Sequence, residues 1–318
     1  MAKTVSKPKA ASKTKAPVSV GDYVRLAATR LEDAGVVFAH GTTDPVAEAA
    51  FLVGETLGLH PDDVEAAARR RVSEAEAAKI LDLVARRIAT RKPAAYLVNR
   101  MYMLGVPFYV DERTIVPRSF IGEILMEHFG DDSPLQLASP SRVRRVLDLC
   151  TGSGCLAVLA ALAFPGATVD AVDLSADALE VARRNVAEHG LDDRIRLLRG
   201  DLFETVGGER YDLIITNPPY VDAEGMAGLP AECVHEPAMA FDGGEDGIDL
   251  VRKILDAAAA HLAADGGLLC EVGRCRPALE AAYPNLPFLW LDTEDSEGEV
   301  FWLEADDLGK FIRAGRAG

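Results

Sequence analysis

The chain has 318 residues, which is long enough for a sizeable core and for about two domains. Its residues are 49% hydrophobic and 26% charged, as in a water-soluble globular protein, and no run of about 18 apolar residues predicts a membrane span. The net charge of −16 argues against a general nucleic-acid-binding protein, whose surface would be basic.

Residues 1–19 differ in composition from the rest of the chain. The first 17 residues, MAKTVSKPKAASKTKAP, carry five lysines and no acidic residue, and removing those charges from −16 leaves −21 for the remainder. A segment with so little to bury is expected to be a disordered basic tail. Two roles are open for this tail: it improves solubility, or it contacts RNA or the ribosome.

A helical domain is predicted over 20–95. Leu26 and Leu31 recur at helical spacing on one face, and Ser73 with Glu76 forms a capping box before a second amphipathic run. The segment contains no acid–base pair and no metal-ligand spacing. We therefore expect it to recognise a substrate.

A connector is predicted over 96–142. Aromatic and β-branched residues alternate around Gly105 in YLVNRMYMLGVPFYVDERTIVP, which predicts a β-hairpin. A helix is expected from Phe120 to about Phe129, and a loop rich in serine and proline follows it.

From residue 143 the chain alternates between strand-like and helix-like segments. Strands are predicted at 144–150, 168–174, 194–199, 211–217, 266–273, 287–292 and 299–304, with helices at about 155–163, 175–189, 246–264 and 276–283. This alternation predicts an α/β fold with a doubly wound, mostly parallel, seven-stranded Rossmann-like sheet. The domain covers 143–305, and 306–318 is expected to be a C-terminal tail. Ligands bind such sheets beyond the C-terminal strand ends, where the strand order reverses.

Candidate ligand-binding residues follow the first three of these strands. In DLCTGSG, residues 148–154, Gly152 and Gly154 let the backbone approach a ligand closely. Asp173 is placed to accept from both ribose hydroxyls, and Asp201 from a purine amine, with Leu202 beside the ring. Asp148 could meet a charged amino group. Together these residues predict a pocket for an adenosine that carries a cationic amino acid. The glycine loop alone also matches a dinucleotide fingerprint, so an NAD-type oxidoreductase remains an alternative.

The fourth strand runs into two prolines in IITNPPYV, residues 214–221. Proline cannot continue a strand ladder, so a rigid tip is expected. There the Asn217 side-chain oxygen and the Pro218 carbonyl can each accept one N–H of a planar NH2 group. Tyr220 can stack on its face, and Pro219 keeps the acceptors rigid. Such a clamp favours methyl transfer to an amide or a base amine by proximity and electrostatic preorganisation, without a general base.

DLCTGSG, VDAVD, GDLF and NPPY, in this order and spacing, resemble class I S-adenosylmethionine-dependent methyltransferases that modify planar NH2 groups. The helical N-terminal domain, the hairpin connector and VPRSFIGE resemble the protein-glutamine methyltransferases. LPAECVHEPAMAF and DGGEDGIDL look like the branch acting on large-subunit ribosomal protein three. The release-factor branch typically has Arg-Pro-Asp where this chain has Arg118-Ser119-Phe120. The resemblance covers roughly residues 20–305.

The resemblance implies S-adenosylmethionine as cofactor and a ribosomal-protein glutamine, in the free protein or in an assembling particle, as methyl acceptor. The cofactor contacts predicted from residues and family pattern together are Asp148, Cys150, Thr151, Gly152, Ser153, Gly154, Asp173, Leu174, Asp201, Leu202 and Asn217. The predicted catalytic residues are Asn217, Pro218 and Tyr220, and these three with Pro219 form the predicted substrate site.

Three further functions remain open: release-factor methylation, nucleic-acid base methylation, and non-enzymatic binding during ribosome assembly. Base methylation would need a basic groove, which a charge of −21 opposes. His235, in the long irregular stretch 221–246, is a candidate substrate contact. Glu271 is interpreted as a satisfied strand-end carboxylate rather than a catalyst.

The five cysteines are odd in number and lie in hydrophobic segments, which indicates a reducing cytoplasmic location. Cys150 with Cys155 and Cys270 with Cys275 form two pairs at equal spacing. Neither pair has the partners typical of structural zinc, so no metal is expected.

Overall fold

The computed structural model describes residues 17–129, 139–294 and 296–315. The predicted basic tail therefore lies outside the described residues except for its last three. The chain divides into two compact units, Met1–Phe38 with Asp44–Thr90 and Ala39–Thr43 with Arg91–Gly318. The predicted boundary of the helical domain changes accordingly, because 39–43 and 91–95 group with the second unit.

The first unit is helical, as predicted, and contains α1 (Val20–Asp33), α2 (Pro45–Leu57), α3 (Asp63–Ala66) and α4 (Glu74–Thr90). Asp44 caps α2 ahead of Pro45, and Gly58 ends it in the left-handed conformation at φ 67°. Leu31, Leu52 and Ile80 are fully or almost fully buried and belong to its core.

After residues 39–43, the second unit continues with the connector, which contains α5 (Ala94–Val98), β1 (Met101–Met103), β2 (Val106–Phe108) and α6 (Ile121–Glu127). β1 and β2 form the predicted antiparallel hairpin. Its turn has positive φ at Leu104 (51°) and Gly105 (75°), a combination that matches the right-handed twist of the strands.

The remaining elements alternate strand and helix. They are β3 (Arg145–Leu149), α7 (Cys155–Ala163), β4 (Thr168–Asp173), α8 (Ala176–Glu188), β5 (Ile195–Arg199), β6 (Tyr211–Thr216), α9 (Ala223–Ala227), α10 (Asp249–His261), β7 (Leu262–Glu271), α11 (Arg276–Ala282), β8 (Leu289–Thr293), β9 (Ser296–Glu304) and α12 (Ala305–Gly315).

Strands β3 to β9 form one seven-stranded sheet in the order β5-β4-β3-β6-β7-β9-β8. The first five are parallel, and β9 is antiparallel to both β7 and β8. This confirms the predicted Rossmann-like fold. The strand order reverses between β3 and β6, so the loops after these two strands lie side by side.

Both faces of the sheet are covered, which explains the apolar runs in its central strands β6 and β7. Successive residues of β3 alternate between faces: Val146 packs in the cluster that contains α6 and α7, and Leu147 in the cluster that contains α10 and α11. Within the described ranges, none of the helices combines the length and apolarity that crossing a bilayer requires.

The prediction of a C-terminal tail from residue 306 is wrong for the described residues. They form α12, in which Leu308 is fully buried and Phe311 packs against the same core cluster as α10. The segment is amphipathic, and its apolar side finds a partner only once the sheet and α10 have formed.

Candidate active site

The loops after β3 and β6 meet at the strand-order reversal. Leu149 pairs with Thr216 in the sheet, and the Thr216 hydroxyl donates to the Leu149 carbonyl at 3.0 Å. Cys150 and Asn217 are the next residues of the two strands. The glycine loop and the proline tip, which sequence motifs identified separately, therefore lie beside each other.

The glycine loop leaves β3 through residues with positive φ, at Cys150 (58°), Gly152 (56°) and Gly154 (80°). A Cβ added to Gly152 would meet no atom within 4 Å, so this glycine opens space rather than packing. A Cβ on Gly154 would lie 3.1 Å from the Ala182 Cβ, so Gly154 allows α7 to pack against α8. The two glycines thus serve different purposes.

A cavity of about 290 Å³, the glycine-loop cavity, extends from this loop across the ends of β4 and β5. Seven of the predicted cofactor residues line it: Cys150, Gly152, Asp173, Leu174, Asp201, Leu202 and Asn217. Its wall includes two non-glycine residues with positive φ, Cys150 and Leu202 (48°). Backbone strain of this kind costs about 1–3 kcal/mol and is typical of functional sites.

Asp173 organises the rim of the glycine-loop cavity. Its carboxylate accepts from the backbone N–H of Gly152 and of Ser175, both at 2.8 Å. Burial nevertheless raises the pKa of Asp173 above its ordinary value. The carboxylate links the glycine loop to the start of α8 and faces the cavity with its remaining accepting capacity.

Asp148 lies beneath the loop, fully buried, and lines neither cavity of the site. Its Oδ2 accepts from the Thr151 hydroxyl at 2.5 Å, whereas Oδ1 has no hydrogen-bond partner among the described residues. Burial raises the pKa of Asp148 to about 7. Its contact with the cofactor stays a prediction.

A second cavity of about 300 Å³, the strand-tip cavity, lies on the other side of Asn217. Thr151 and Ser153, predicted cofactor residues, line this cavity rather than the first. Pro218 and Tyr220 also line it, whereas Pro219 faces the glycine-loop cavity. Asn217 borders both cavities, so it stands where a cofactor and an acceptor would meet.

The Asn217 side chain has a defined orientation. Its Nδ2 donates to the Arg118 carbonyl at 3.0 Å. The side-chain oxygen is therefore the atom left to accept a hydrogen bond from a ligand, which is the role predicted for it.

Tyr220 is held on three sides. Its hydroxyl donates to Glu271 at 3.3 Å, its carbonyl accepts from the Cys275 thiol at 3.0 Å, and its ring lies so close to Gly273 that a Cβ there would be 2.6 Å from it. Burial raises the pKa of Tyr220 far above its ordinary range, so the phenol stays protonated.

Two buried glutamates hold the residues that border the strand-tip cavity. Glu271 accepts from the Ser119 hydroxyl and the Phe120 backbone N–H at 2.7 and 3.0 Å, as well as from Tyr220, which agrees with its interpretation as a satisfied carboxylate. Burial raises its pKa to about 7. The contribution of these contacts to the site was not foreseen, because Ser119 and Glu271 are 152 residues apart.

Glu236 is the second of these glutamates. It accepts from the Val116 backbone N–H at 2.8 Å, from both terminal nitrogens of Arg118 at 3.2 and 3.3 Å, and is paired with His40 Nε2 at 2.9 Å. These partners keep its pKa low despite burial. His235, the predicted contact, lies outside the lining of both cavities.

Atoms that could ligate a metal, contributed by His40, Cys233 and Glu236, lie within 4.8 Å of one another. No spacing in the sequence predicts this cluster. Both carboxylate oxygens of Glu236 already accept hydrogen bonds from His40, Val116 and Arg118. The geometry is that of a hydrogen-bonded network, in which the long-range partners could not be read from sequence spacing.

The glycine-loop cavity fits the predicted S-adenosylmethionine. Gly152 leaves open the space that a Cβ would fill, which allows close backbone approach. The carboxylates of Asp173 and Asp201 suit ribose hydroxyls and an exocyclic amine, and Leu202 supplies an apolar surface. Among the described residues, Arg113 is the single basic residue in the lining of this cavity. The lining therefore gives no particular indication of a diphosphate group.

Comparison with known proteins agrees with this assignment. Residues 123–240 match the methyltransferase small domain, and residues 22–98 match the PrmC N-terminal domain. The ribosomal protein uL3 glutamine methyltransferase of Bradyrhizobium diazoefficiens is 65% identical, over 92% of this chain and 92% of its own.

Two further relatives carry the same name. That of Bordetella pertussis is 49% identical over 90% of this chain and 95% of its own, and that of Burkholderia pseudomallei is 48% identical over 91% and 95%. Similarity of this extent confirms the resemblance found in the sequence. The chain belongs to the family of ribosomal protein uL3 glutamine methyltransferases.

Proposed function

We propose that this S-adenosylmethionine-dependent methyltransferase transfers a methyl group to the side-chain amide nitrogen of a glutamine in ribosomal protein uL3. The observation that carries the proposal is the position of Asn217. It borders both cavities, and its Nδ2 is bonded to the Arg118 carbonyl, so that its oxygen is free to accept from the acceptor's NH2 group.

When bound, S-adenosylmethionine supplies an electrophilic methyl group. Asp173, Asp201 and Leu202 would hold its adenosine, and the glycine loop would border its amino-acid part. On the acceptor side, the Asn217 oxygen and the Pro218 carbonyl each accept one N–H of the glutamine amide, and Tyr220 covers its face. Holding a weak nucleophile in line can lower a barrier by about 7–11 kcal/mol.

No general base is needed in this scheme. The two acceptors stabilise positive charge that develops on the amide nitrogen, and the N-protonated product amide is acidic enough to lose its proton to water. Tyr220 cannot serve as a base because its pKa is raised strongly by burial. Glu271 lies behind Ser119 and Tyr220 rather than in the lining of the strand-tip cavity.

The alternatives are less well supported. An NAD-type oxidoreductase would leave the strand-tip cavity and its clamp without a purpose. Nucleic-acid base methylation would need a basic groove, against a net charge of −21 outside the tail. Methylation of release factors is disfavoured because the three relatives are each named as uL3 glutamine methyltransferases.

We further propose that the helical domain reads the surface of uL3 and that the basic tail contacts ribosomal RNA when the substrate is an assembling particle. A cytoplasmic location suits such a substrate.

The proposal is tested by incubating the purified protein with S-adenosylmethionine and isolated uL3, followed by peptide mass spectrometry. A gain of one methyl group on a single glutamine is expected, at a rate lower by about two to three orders of magnitude in the Asn217→Ala reaction. Release factors in parallel reactions should stay unmodified. Equal methylation of both proteins would contradict the assignment to uL3.

A further inference from the structure

The buried carboxylate of Glu271 contacts both Tyr220 and the segment that orients Asn217. Glu271 stands at the end of β7, next to β6, and is 1% exposed. Its Oε1 accepts from the Tyr220 hydroxyl at 3.3 Å, and its Oε2 accepts from Ser119 Oγ at 2.7 Å and from the Phe120 N–H at 3.0 Å. One carboxylate therefore holds both the Tyr220 ring and the segment that contains Ser119 and Phe120.

That segment also sets the orientation of Asn217. The Arg118 carbonyl, which accepts from Asn217 Nδ2 at 3.0 Å, immediately precedes Ser119. If the segment moved, the amide would lose its partner and could rotate, presenting an N–H instead of an oxygen to the acceptor. A donor in that position cannot bind an NH2 group.

We propose that Glu271 is a positioning residue for methyl transfer: by holding Tyr220 and residues 118–120 together, it keeps the Asn217 oxygen turned toward the acceptor amide. The proposal rests on the function proposed above. Glu271 does not touch either cavity, so it acts through its three partners rather than on the substrate.

Glu236 holds the same segment from its other end. It accepts from the Val116 N–H and pairs with Arg118 through both carboxylate oxygens. Because the segment has this second anchor, the loss of Glu271 should loosen residues 118–120 without unfolding them. The conservative change Glu271→Gln is therefore the informative one.

At about pH 8, above its raised pKa, Glu271 is ionised. In Glu271→Gln, the amide oxygen can still accept from Phe120, but the charge that strengthens all three hydrogen bonds is gone. We expect kcat for uL3 to fall at least about tenfold, the effect of losing hydrogen bonds to a charged group. The KM for S-adenosylmethionine should stay within about twofold, because the glycine-loop cavity is untouched. Glu299→Gln is the matched control: it removes an equal charge close to Glu271, and activity should not change.

A substrate-free measurement separates this proposal from the proposed function. In protein labelled with 15N-asparagine, the side-chain NH2 resonance of Asn217 is assigned by its loss in Asn217→Ala. It should shift in Glu271→Gln and stay in place in Glu299→Gln. A failure of wild-type protein to methylate uL3 would contradict the proposed function but leave this comparison intact.

The positioning role is overturned if Glu271→Gln leaves the Asn217 resonance unmoved or retains kcat within about twofold of wild type. The coupling to the ring is checked in a double-mutant cycle with Tyr220→Phe. Since that variant already lacks the hydroxyl that Glu271 binds, Glu271→Gln should lower kcat less in its background. Full additivity would count against the contact.

Discussion

We propose that Asn217 presents an acceptor to the strand-tip cavity, since its Nδ2 already donates to the Arg118 carbonyl. Asn217→Ala removes the acceptor while Pro218 and Tyr220 remain. We expect kcat to fall by about two to three orders of magnitude, as when one preorganised hydrogen-bond partner is lost. Calorimetry should show cofactor affinity within a few-fold of wild type. The exposed Asn285→Ala is the control, and turnover of Asn217→Ala within tenfold of wild type would contradict the clamp.

Asp173 lines the glycine-loop cavity, where we propose that it accepts from the ribose hydroxyls. Asp173→Ala would leave the ribose hydroxyls without a charged acceptor, and the Gly152 N–H without its partner. The cost should be about 1.5–3 kcal/mol of binding free energy, roughly a 10- to 150-fold weaker Kd for S-adenosylmethionine. Titration calorimetry measures this directly, with the exposed Asp192→Ala as control. Unchanged affinity would mean that the cofactor lies elsewhere.

The buried Glu271 should also make the free energy of unfolding depend on pH. Burial raises its pKa from 4.5 to about 7, so between these values the native state binds a proton that the unfolded state has released. The free energy of unfolding therefore falls as pH rises through this window, by roughly 3 kcal/mol from this group. Glu271→Gln removes that dependence, while Asp148, with a similar raised pKa, retains its own.

Urea denaturation of both proteins at about pH 5 and about pH 8 tests this expectation. The free energy of unfolding of Glu271→Gln minus that of wild type should be larger at about pH 8 than at about pH 5, because only wild type loses the contribution of Glu271 as pH rises. A difference between the two proteins that is the same at both pH values would contradict the raised pKa.

At the scale of elements, the strands and helices of the sheet could be predicted because buried parallel strands are short apolar runs ended by glycine, proline or aspartate. Helix α7 has the predicted bounds, and β3 and β6 end within one residue of the predicted positions. The residues at the strand ends could be predicted for the same reason, since topology alone brings Asn217 beside Cys150.

What the sequence could not provide were contacts between distant segments. Glu236 meets Arg118 across 118 residues, and Glu271 meets Ser119 across 152. No local pattern marks such pairs, because a buried carboxylate and a surface carboxylate look alike in a sequence. The start of β7 at Leu262 rather than 266, and the missed α12, have a related cause: tertiary packing decides where marginal segments begin.

Helix α12 is part of the fold rather than a tail. Leu308 is fully buried against the core that includes α10, so Leu308→Ala should lower the free energy of unfolding by about 2–5 kcal/mol. The exposed Arg313→Ala on the same helix should change it by no more than about 0.5 kcal/mol. Urea titration compares the two. A loss below about 1 kcal/mol for Leu308→Ala would indicate that α12 contributes little to the core.

At the scale of the whole molecule, charge divides the chain into an acidic body and a basic tail. One amide offers two hydrogen bonds and one stacking face, too little to select one glutamine among thousands. Selection must come from surface contacts around the target. A body with a charge of −21 attracts a basic ribosomal protein at long range, and salt screens that attraction.

Methylation of isolated uL3 should therefore slow as salt rises, mainly because association slows.

Deleting residues 1–17 should change the rate of methylation of isolated uL3 little, since any effect of the five lysines on a basic substrate would be repulsion. On an immature particle that contains RNA, the deletion should lower the rate, because lysines that neutralise phosphates contribute affinity that salt removes. A full-length variant with all five lysines changed to glutamine keeps the length and loses the charge, and it should behave like the deletion. The three proteins are compared on both substrates across a salt series. A tail effect that appears only in the absence of RNA would contradict an RNA-contacting arm, and a rate on isolated uL3 that is indifferent to salt would contradict electrostatic recruitment.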